Sequence, residues 1–181
     1  MKARLTLALL TLGICTSGTA TEIGRNERYV TYELRIPTVG GRVLWGYYSE
    51  PADAASRPFP LKVEVPGAGP GWRGPWDADG RQATLLVNVH GYRIPEGGND
   101  KIRHEQARRE LDDLLKGYPL ASPAYSKIGI AKSREDFFYY GVILGACRAV
   151  DWAAERPGID RERVYYRGCS QGGGFGLIMT A

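Results

Sequence analysis

The residues from Gly168 to Gly173 have the types and spacing of a serine nucleophile held on a sharp turn. They read Gly-Cys-Ser-Gln-Gly-Gly and contain the pattern Gly-x-Ser-x-Gly, centred on Ser170. Such a turn is so tight that the positions two before and two after the serine have almost no room for side chains. Gly168 and Gly172 occupy those positions, and glycine also tolerates the strained backbone. We therefore predict that Ser170 is a nucleophile.

The flanking sequence supports this prediction. Val164 to Arg167 is a short β-prone run, and the apolar residues from Phe175 to Met179 can form a buried helix. A strand, a sharp turn and a helix are the setting that the motif requires. In a chain with 24 glycines the bare pattern also arises by chance, so the alternative is a Gly/Ser-rich loop without chemistry.

A serine hydroxyl must give up its proton to a neighbouring base before it can attack. In folds that use this turn, an acid and then a histidine follow the serine along the chain. Residues Gln171 to Ala181 include no Asp, Glu or His, so we expect this chain to be inactive on its own. The two histidines of the chain, His90 and His104, both precede the serine. We interpret His90 as a hydrogen-bonded residue at a strand end rather than as a substitute for the missing base.

Four β-prone segments precede the turn. Tyr29 to Ile36 and Arg42 to Tyr48 flank Gly40-Gly41, which predicts a hairpin. Leu61 to Val65 is a third strand candidate. Ala83 to Val89 is the most hydrophobic candidate and suits the buried middle of a parallel sheet.

One helix, and a second segment that can form another, lie between these strands and the turn. Ser133 to Asp136 resembles a capping box, and Arg156-Pro157-Gly158 ends the helix that follows. Apolar residues recur at helical spacing between these limits, namely Phe138, Val142, Ala146, Ala149, Val150 and Ala153. The charged segment from Lys101 to Lys116 can form an amphipathic helix, but we prefer a solvated helix or an excursion loop. Alternating strands and helices predict an α/β protein with a mainly parallel sheet.

Residues 1–20 have the composition of a signal peptide. Lys2 and Arg4 precede an apolar run, and Gly18-Thr19-Ala20 supplies small residues at a cleavage site. Cys15 makes a lipoprotein the alternative. The mature protein would begin near Thr21 and be secreted or periplasmic, with no membrane association after cleavage. Its formal net charge falls from +4 to +2 without Lys2 and Arg4, which argues against a nucleic-acid partner.

Cys147 and Cys169 remain after this cleavage, and we expect two free, buried thiols rather than a disulfide. The sequence has two histidines and no Cys/His cluster. We therefore predict neither a metal site nor a cofactor.

Three segments resemble the acetyl xylan esterase / cephalosporin-C deacetylase family of α/β-hydrolases. The first runs from Asp136 to Pro157 and contains Arg-Ala-Val-Asp-Trp, the second is Asp160-Arg-Glu-Arg-Val, and the third is Gly168-Cys-Ser-Gln-Gly-Gly-Gly. The resemblance implies an α/β-hydrolase domain over residues 59–181 that is incomplete at its C-terminal end. This domain would correspond to the N-terminal half to two-thirds of the fold and would be truncated after the nucleophile turn. Residues 21–58 would form an N-terminal β-hairpin region. The sequence departs from the family pattern at Tyr140, Gly145 and Cys169.

The resemblance also implies an oxyanion hole made of two backbone N–H groups. One belongs to Gln171, the residue after the serine. The other belongs to the loop after the third core strand, where family members often have His-Gly-Tyr. Counting strands places Ala68 at that position, and Tyr92 of His90-Gly91-Tyr92 is the alternative.

The activity implied is that of an exported serine carboxylic-ester hydrolase that removes acetyl groups from a polysaccharide or a related sugar ester. One alternative is a serine peptidase or general esterase of the same fold. Another is a non-catalytic pseudo-esterase that binds carbohydrate or protein, with Trp45, Trp72 and Trp76 available to stack on sugars. Family members are often oligomeric, so an oligomer is consistent with each of these functions.

Overall fold

The computed structural model describes residues 18–53, 58–68, 80–93, 100–116, 125–130 and 132–181. Trp72 and Trp76, and residues 1–17 of the predicted signal peptide, lie outside these ranges. The described strands are β1 (Thr19–Arg25), β2 (Tyr29–Pro37), β3 (Val43–Pro51), β4 (Phe59–Val65), β5 (Ala83–Val87) and β6 (Ile159–Gly168). The described helices are α1 (Asp100–Leu114), α2 (Phe138–Ala154) and α3 (Gln171–Met179). Among the described helices, none combines the length and apolar character needed to cross a membrane.

The six strands form one sheet in the order β1-β2-β3-β5-β4-β6. Three neighbouring pairs are antiparallel, namely β1 with β2, β2 with β3, and β3 with β5. β4 pairs parallel with both β5 and β6. The α/β prediction is confirmed, and the parallel part of this mixed sheet is its β5-β4-β6 side. The carboxyl ends of these three strands meet along one border, which we call the carboxyl edge.

The predicted hairpin is confirmed as β2 and β3, which pair from Tyr29↔Pro51 to Pro37↔Val43. A short 3-10 turn, Val39–Gly41, joins them. Gly40 and Gly41 both have φ of 69°, a left-handed conformation that glycine adopts without steric cost. Leu34 of β2 and Leu44 of β3 are buried in the core, and β3 is buried continuously from Gly46 to Pro51.

β5 ends two residues earlier than the predicted strand from Ala83 to Val89. Asn88 ends it because its side chain closes a turn: Oδ1 accepts the N–H of His90 at 3.0 Å, and Nδ2 donates to the Tyr92 carbonyl at 2.8 Å. Gly91, at φ 68°, completes this turn and accepts a hydrogen bond from the Trp45 N–H at 3.0 Å. The loop after β5 therefore folds back onto the beginning of β3.

α2 confirms the predicted helix and packs against β2, β3 and β5. Its capping-box prediction is wrong. Ser133 and Asp136 do bond to each other, at 2.8 and 3.0 Å, but within a separate turn. The helix begins at Phe138, and Phe137, which stands at its N-cap, makes no side-chain capping bond.

α1 is an amphipathic helix, so our preference for a solvated helix or loop is wrong. Ala107, Leu111 and Leu115 are four residues apart, a spacing that places side chains on one helical face. All three are buried in the main hydrophobic core. This short apolar face is sufficient to dock an otherwise charged helix.

β6 is longer than the predicted strand from Val164 to Arg167, because Ile159 already pairs with Phe59 and an irregularity precedes the Leu61↔Val164 pair. It is the outermost strand on its side of the described sheet. Both described cysteines are free, as predicted, but they are not buried: Cys147 is half-buried and Cys169 is exposed. Cys169 is exposed because it directly follows this outer strand.

Candidate active site

Ser170 lies in the turn between the end of β6 and the beginning of α3. Its backbone has φ 51° and ψ −123°. It is the only residue other than glycine with a positive φ in the described part of the chain. Such a conformation costs a serine on the order of 1–3 kcal/mol and is typical of functional sites. The strand, the strained turn and the helix predicted around Ser170 are thus present.

The two glycines of the motif stand where the backbone leaves no room. A Cβ on Gly172 would lie 2.1 Å from the Val65 carbonyl oxygen and 2.5 Å from that of Pro66. A Cβ on Gly168 would lie 2.6 Å from the carbonyl oxygen of Gly172 itself. These distances are far below normal contact, so the end of β4 and the turn fit together only with glycine at both positions.

The loop after β4 lies beside the serine. A Cβ on Gly67 would be 3.2 Å from the Ser170 Cβ and 3.9 Å from its Oγ. The next residue is Ala68, the predicted second oxyanion donor. Gln171 is the first residue of α3, where backbone N–H groups have no partner within the helix. The structure therefore brings the segments of Gln171 and Ala68 together at Ser170, while their roles as donors stay a prediction.

Tyr92, the alternative oxyanion donor, lies on the loop after β5. This loop is tied to β3 by the hydrogen bond from Trp45 to Gly91. The Tyr92 ring is buried, with its centroid 6.4 Å from that of His90. The approach to Ser170 that the structure shows is that of Gly67, on the loop after β4, and the choice between Ala68 and Tyr92 stays a prediction.

Two tyrosines that the sequence analysis did not single out hold the turn. The side chain of Gln171 donates from Nε2 to the Tyr139 hydroxyl at 2.6 Å. The ring of Tyr139 meets that of Phe175 edge-on, with centroids 5.4 Å apart. On the other side, the Tyr166 hydroxyl donates to the Gly172 carbonyl. The helical spacing at the start of α2 did not single out Tyr139, because hydrophobic spacing says nothing about where a hydroxyl points.

His90 lies at the carboxyl edge, just beyond the end of β5. It is 2% exposed and is surrounded by the rings of Tyr92, Phe138 and Tyr139, at centroid distances of 6.3–6.4 Å. Burial lowers its pKa to about 4, because a charged imidazolium is poorly solvated there. His90 is consequently neutral and a weak base at neutral pH. The side chain of His104 lies outside the described residues.

No cluster of three or more His, Cys, Asp or Glu side chains suited to a metal ion occurs within the described ranges. The chemistry that the described geometry supports best is nucleophilic attack by Ser170.

A family model described as acetyl xylan esterase (AXE1) matches residues 26–181. The chain belongs to the acetyl xylan esterase family. A comparison with curated protein sequences gave no match for this family member.

Solved structures of acetyl xylan esterases share the fold. The enzyme from Paenibacillus sp. R4 superposes with a TM-score of 0.60 at 20% identity, covering 90% of this chain and 48% of its own. Acetyl xylan esterase 1 from Thermoanaerobacterium sp. JW/SL YS485 gives 0.62 at 18% identity, covering 90% and 47%. A putative acetyl xylan esterase from Bacteroides fragilis NCTC 9343 gives 0.59 at 13% identity, covering 90% and 44%. The α/β-hydrolase fold is confirmed, and the chain spans about half the length of these esterases.

Proposed function

We propose that this family member is a serine carboxylic-ester hydrolase in which Ser170 is the nucleophile. The observation that carries the proposal is the strained Ser170 backbone between β6 and α3, closed by glycines with no room for a side chain. A turn of this kind exposes the serine Oγ at the carboxyl edge of the sheet. Membership of the acetyl xylan esterase family supports hydrolysis of esters.

The proposed substrate is an acetyl ester of a polysaccharide or a related sugar. Ser170 Oγ attacks the acetyl carbonyl carbon while its proton passes to a general base. The negative oxygen is stabilised by the N–H groups of Gln171 and Ala68. The bond to the sugar oxygen then breaks, and that oxygen takes the proton from the base. Water attacks the acyl-enzyme in the same way and releases acetate.

The base and its acid partner are not among residues Gln171 to Ala181, which include no Asp, Glu or His. We propose that His90 does not replace them, because burial lowers its pKa to about 4. This chain by itself is therefore expected to hydrolyse no ester. We also propose that residues 1–20 direct its export.

The test supplies the missing groups in trans. The chain is co-expressed with the C-terminal half of the Paenibacillus sp. R4 esterase, and turnover of p-nitrophenyl acetate and acetylated xylan is measured. The complemented protein is expected to release acetate, and the chain alone and complemented Ser170→Ala are not. Turnover that survives Ser170→Ala would exclude Ser170 as the nucleophile.

The same assay separates the alternatives. Hydrolysis of an aminoacyl-arylamide without hydrolysis of acetyl esters would indicate a peptidase. A complemented protein that is folded and inactive on both substrates would favour a non-catalytic binding protein. Turnover by the chain alone that disappears in Ser170→Ala would contradict its proposed inactivity.

A further inference from the structure

A cavity of about 360 Å³ opens at the carboxyl edge, on the β3 side of the sheet. It lies between the beginning of β3, the loop after β5, α1 and the N-terminal turn of α2. Its wall includes Arg42, Trp45, Tyr92, Arg93, Glu110 and Phe138. This volume lies in the range of natural small-ligand sites, and aromatic rings with a few converging polar groups are their usual lining.

Arg42 brings a positive charge to this wall. Its Nη1 donates to the Phe138 carbonyl at 3.1 Å and its Nη2 to the Asp136 carbonyl at 3.3 Å. The guanidinium lies 5.3 Å from the centroid of the Phe138 ring. These neutral acceptors fix its position, and among the described residues no carboxylate pairs with it. A guanidinium held in this way is suited to an anionic oxygen of a ligand.

Arg93, in contrast, is already neutralised. It forms a two-pronged pair with Glu33 at 2.9 and 3.1 Å. Its guanidinium also lies 5.3 Å from the centroid of the Trp45 ring. The Glu33–Arg93 pair thereby packs against the indole of Trp45, which lines the cavity.

After the Arg42 guanidinium and the Trp45 indole, the third functional group on the cavity wall is the carboxylate of Glu110, which lies on α1. A carboxylate accepts hydrogen bonds and repels anions, so a simple inorganic anion or an aromatic acid leaves it without a donor. A ligand that satisfies all three groups has a ring with an apolar face, hydroxyl donors and one carboxylate.

We propose that this cavity binds a hexuronate, a pyranose sugar that carries a carboxylate. Its C–H face stacks on Trp45, its carboxylate meets Arg42, and a ring hydroxyl donates to Glu110. This binding does not depend on the proposed ester hydrolysis. It nevertheless occurs near the nucleophile, since Phe138 packs edge-on against Tyr139 at 5.2 Å and Tyr139 bonds to Gln171.

The test is isothermal titration of the full chain with D-glucuronate, in parallel with D-glucose and benzoate. Glucuronate is expected to bind in the millimolar range and at least about tenfold more tightly than the other two, because each lacks one of the required groups. In Arg42→Gln the affinity for glucuronate should fall about tenfold. Arg148→Gln is the matched control, because Arg148 also donates to a backbone carbonyl, that of Pro37 at 2.8 Å, but is exposed outside the cavity. It should bind normally.

The variant Glu110→Gln distinguishes binding of a hexuronate from binding of an aromatic acid. The substitution lies on α1 and does not disturb α2. It should weaken glucuronate binding and leave benzoate binding unchanged. The proposal is overturned if glucuronate does not bind, if glucose or benzoate binds equally well, or if Arg42→Gln binds like the Arg148→Gln control. If Arg42→Gln does not fold, the comparison of the three ligands and Glu110→Gln decide the question.

Discussion

At the scale of single residues, the nucleophile depends on neighbours that have no side chain. Gly172 faces the Val65 and Pro66 carbonyl oxygens at the end of β4, and Gly168 faces Gly172. The strain at Ser170 is therefore maintained by close backbone packing. The motif was sufficient to predict the serine and both glycines. It was not sufficient to predict Tyr139 and Tyr166, because their hydroxyl contacts arise only when α3 packs against α2 and β6.

Gly172→Ala should destabilise the chain strongly. Its methyl group would lie 2.1 Å from a carbonyl oxygen of β4, and relief of that overlap requires backbone movement that costs roughly 3 kcal/mol or more. Gly174→Ala is the matched control in the same helix, since a Cβ there meets nothing within 4 Å. It should be neutral or stabilising by up to about 1 kcal/mol. Urea unfolding measures both, and equal effects would contradict the packing described for the turn.

His90 should make the chain less stable in acid. Its pKa is about 4 in the folded protein, against about 6.5 in an unfolded chain. The unfolded state therefore binds a proton first, and the free energy of unfolding falls as the pH drops from about 6.5 to 4, by on the order of 3 kcal/mol. His90→Gln should lack this part of the pH dependence. Parallel unfolding curves of the two proteins across this window would show that His90 is not the group responsible.

The two described thiols should differ in reactivity. Cys169 is exposed. Burial and the nearby Asp151 carboxylate raise the pKa of Cys147, so less of it is the reactive thiolate at a given pH. Ellman's reagent should modify the native chain quickly at Cys169 and slowly at Cys147, and the slow reaction should accelerate as the pH rises. Mass spectrometry locates each modification, with Cys169→Ser as the control; fast reaction of that variant at Cys147 would refute the assignment.

At the scale of elements, a charged cluster joins the C-terminal end of α2 to the hairpin. Arg156, just beyond α2, lies 3.3 Å from the Glu50 carboxylate of β3. Its guanidinium also lies 5.1–6.0 Å from the ring centroids of Tyr32, Tyr48 and Trp152. Sequence periodicity predicted α2 and the hairpin, but it interpreted Arg156 only as part of the segment that ends the helix. A contact between residues 106 apart in sequence has no local signal.

Arg156→Met should lower the free energy of unfolding by about 3 kcal/mol, because it leaves the buried Glu50 carboxylate without its cation. The double variant with Glu50→Gln should recover part of this loss. Urea titration of the four proteins in the cycle measures the coupling between the two side chains. Additive effects would mean that the ion pair contributes nothing.

At the scale of the whole molecule, the sequence was informative about strands and uninformative about how far their pairing extends. β-prone runs placed β2 to β5 within a few residues, and the Gly-x-Ser-x-Gly motif placed the nucleophile turn. The full length of β6 was missed because Asp160 to Arg163 is charged, and outer strands accept charged residues that a central strand excludes. The docking of α1 was missed for a related reason, since the few apolar residues in this charged segment give a weak pattern.

The outer edge of β6 should promote self-association of the chain. Val164 and Tyr165 are 38% and 44% exposed, and an open strand with apolar side chains is a template for pairing with another chain. Light scattering should rise with protein concentration and fall in Val164→Lys. Leu177→Lys is the comparison variant, because it places the same charge on the exposed face of α3. Val30→Lys, on the inner strand β2, is not a suitable control, because Val30 is buried. Scattering unchanged by Val164→Lys would exclude the β6 edge as the contact.

The pairing of β4 with β6 has a consequence for the order of folding. Leu61 pairs with Val164, so a loop of about 100 residues must close before the end of β4 can reach the turn at Ser170. The hairpin of β2 and β3 closes a far shorter loop and can form early. Because the turn at Ser170 packs against the end of β4, we expect it to be completed after the hairpin. A chain in which β4 and β6 are not yet paired would therefore carry the hairpin without an organised turn at Ser170.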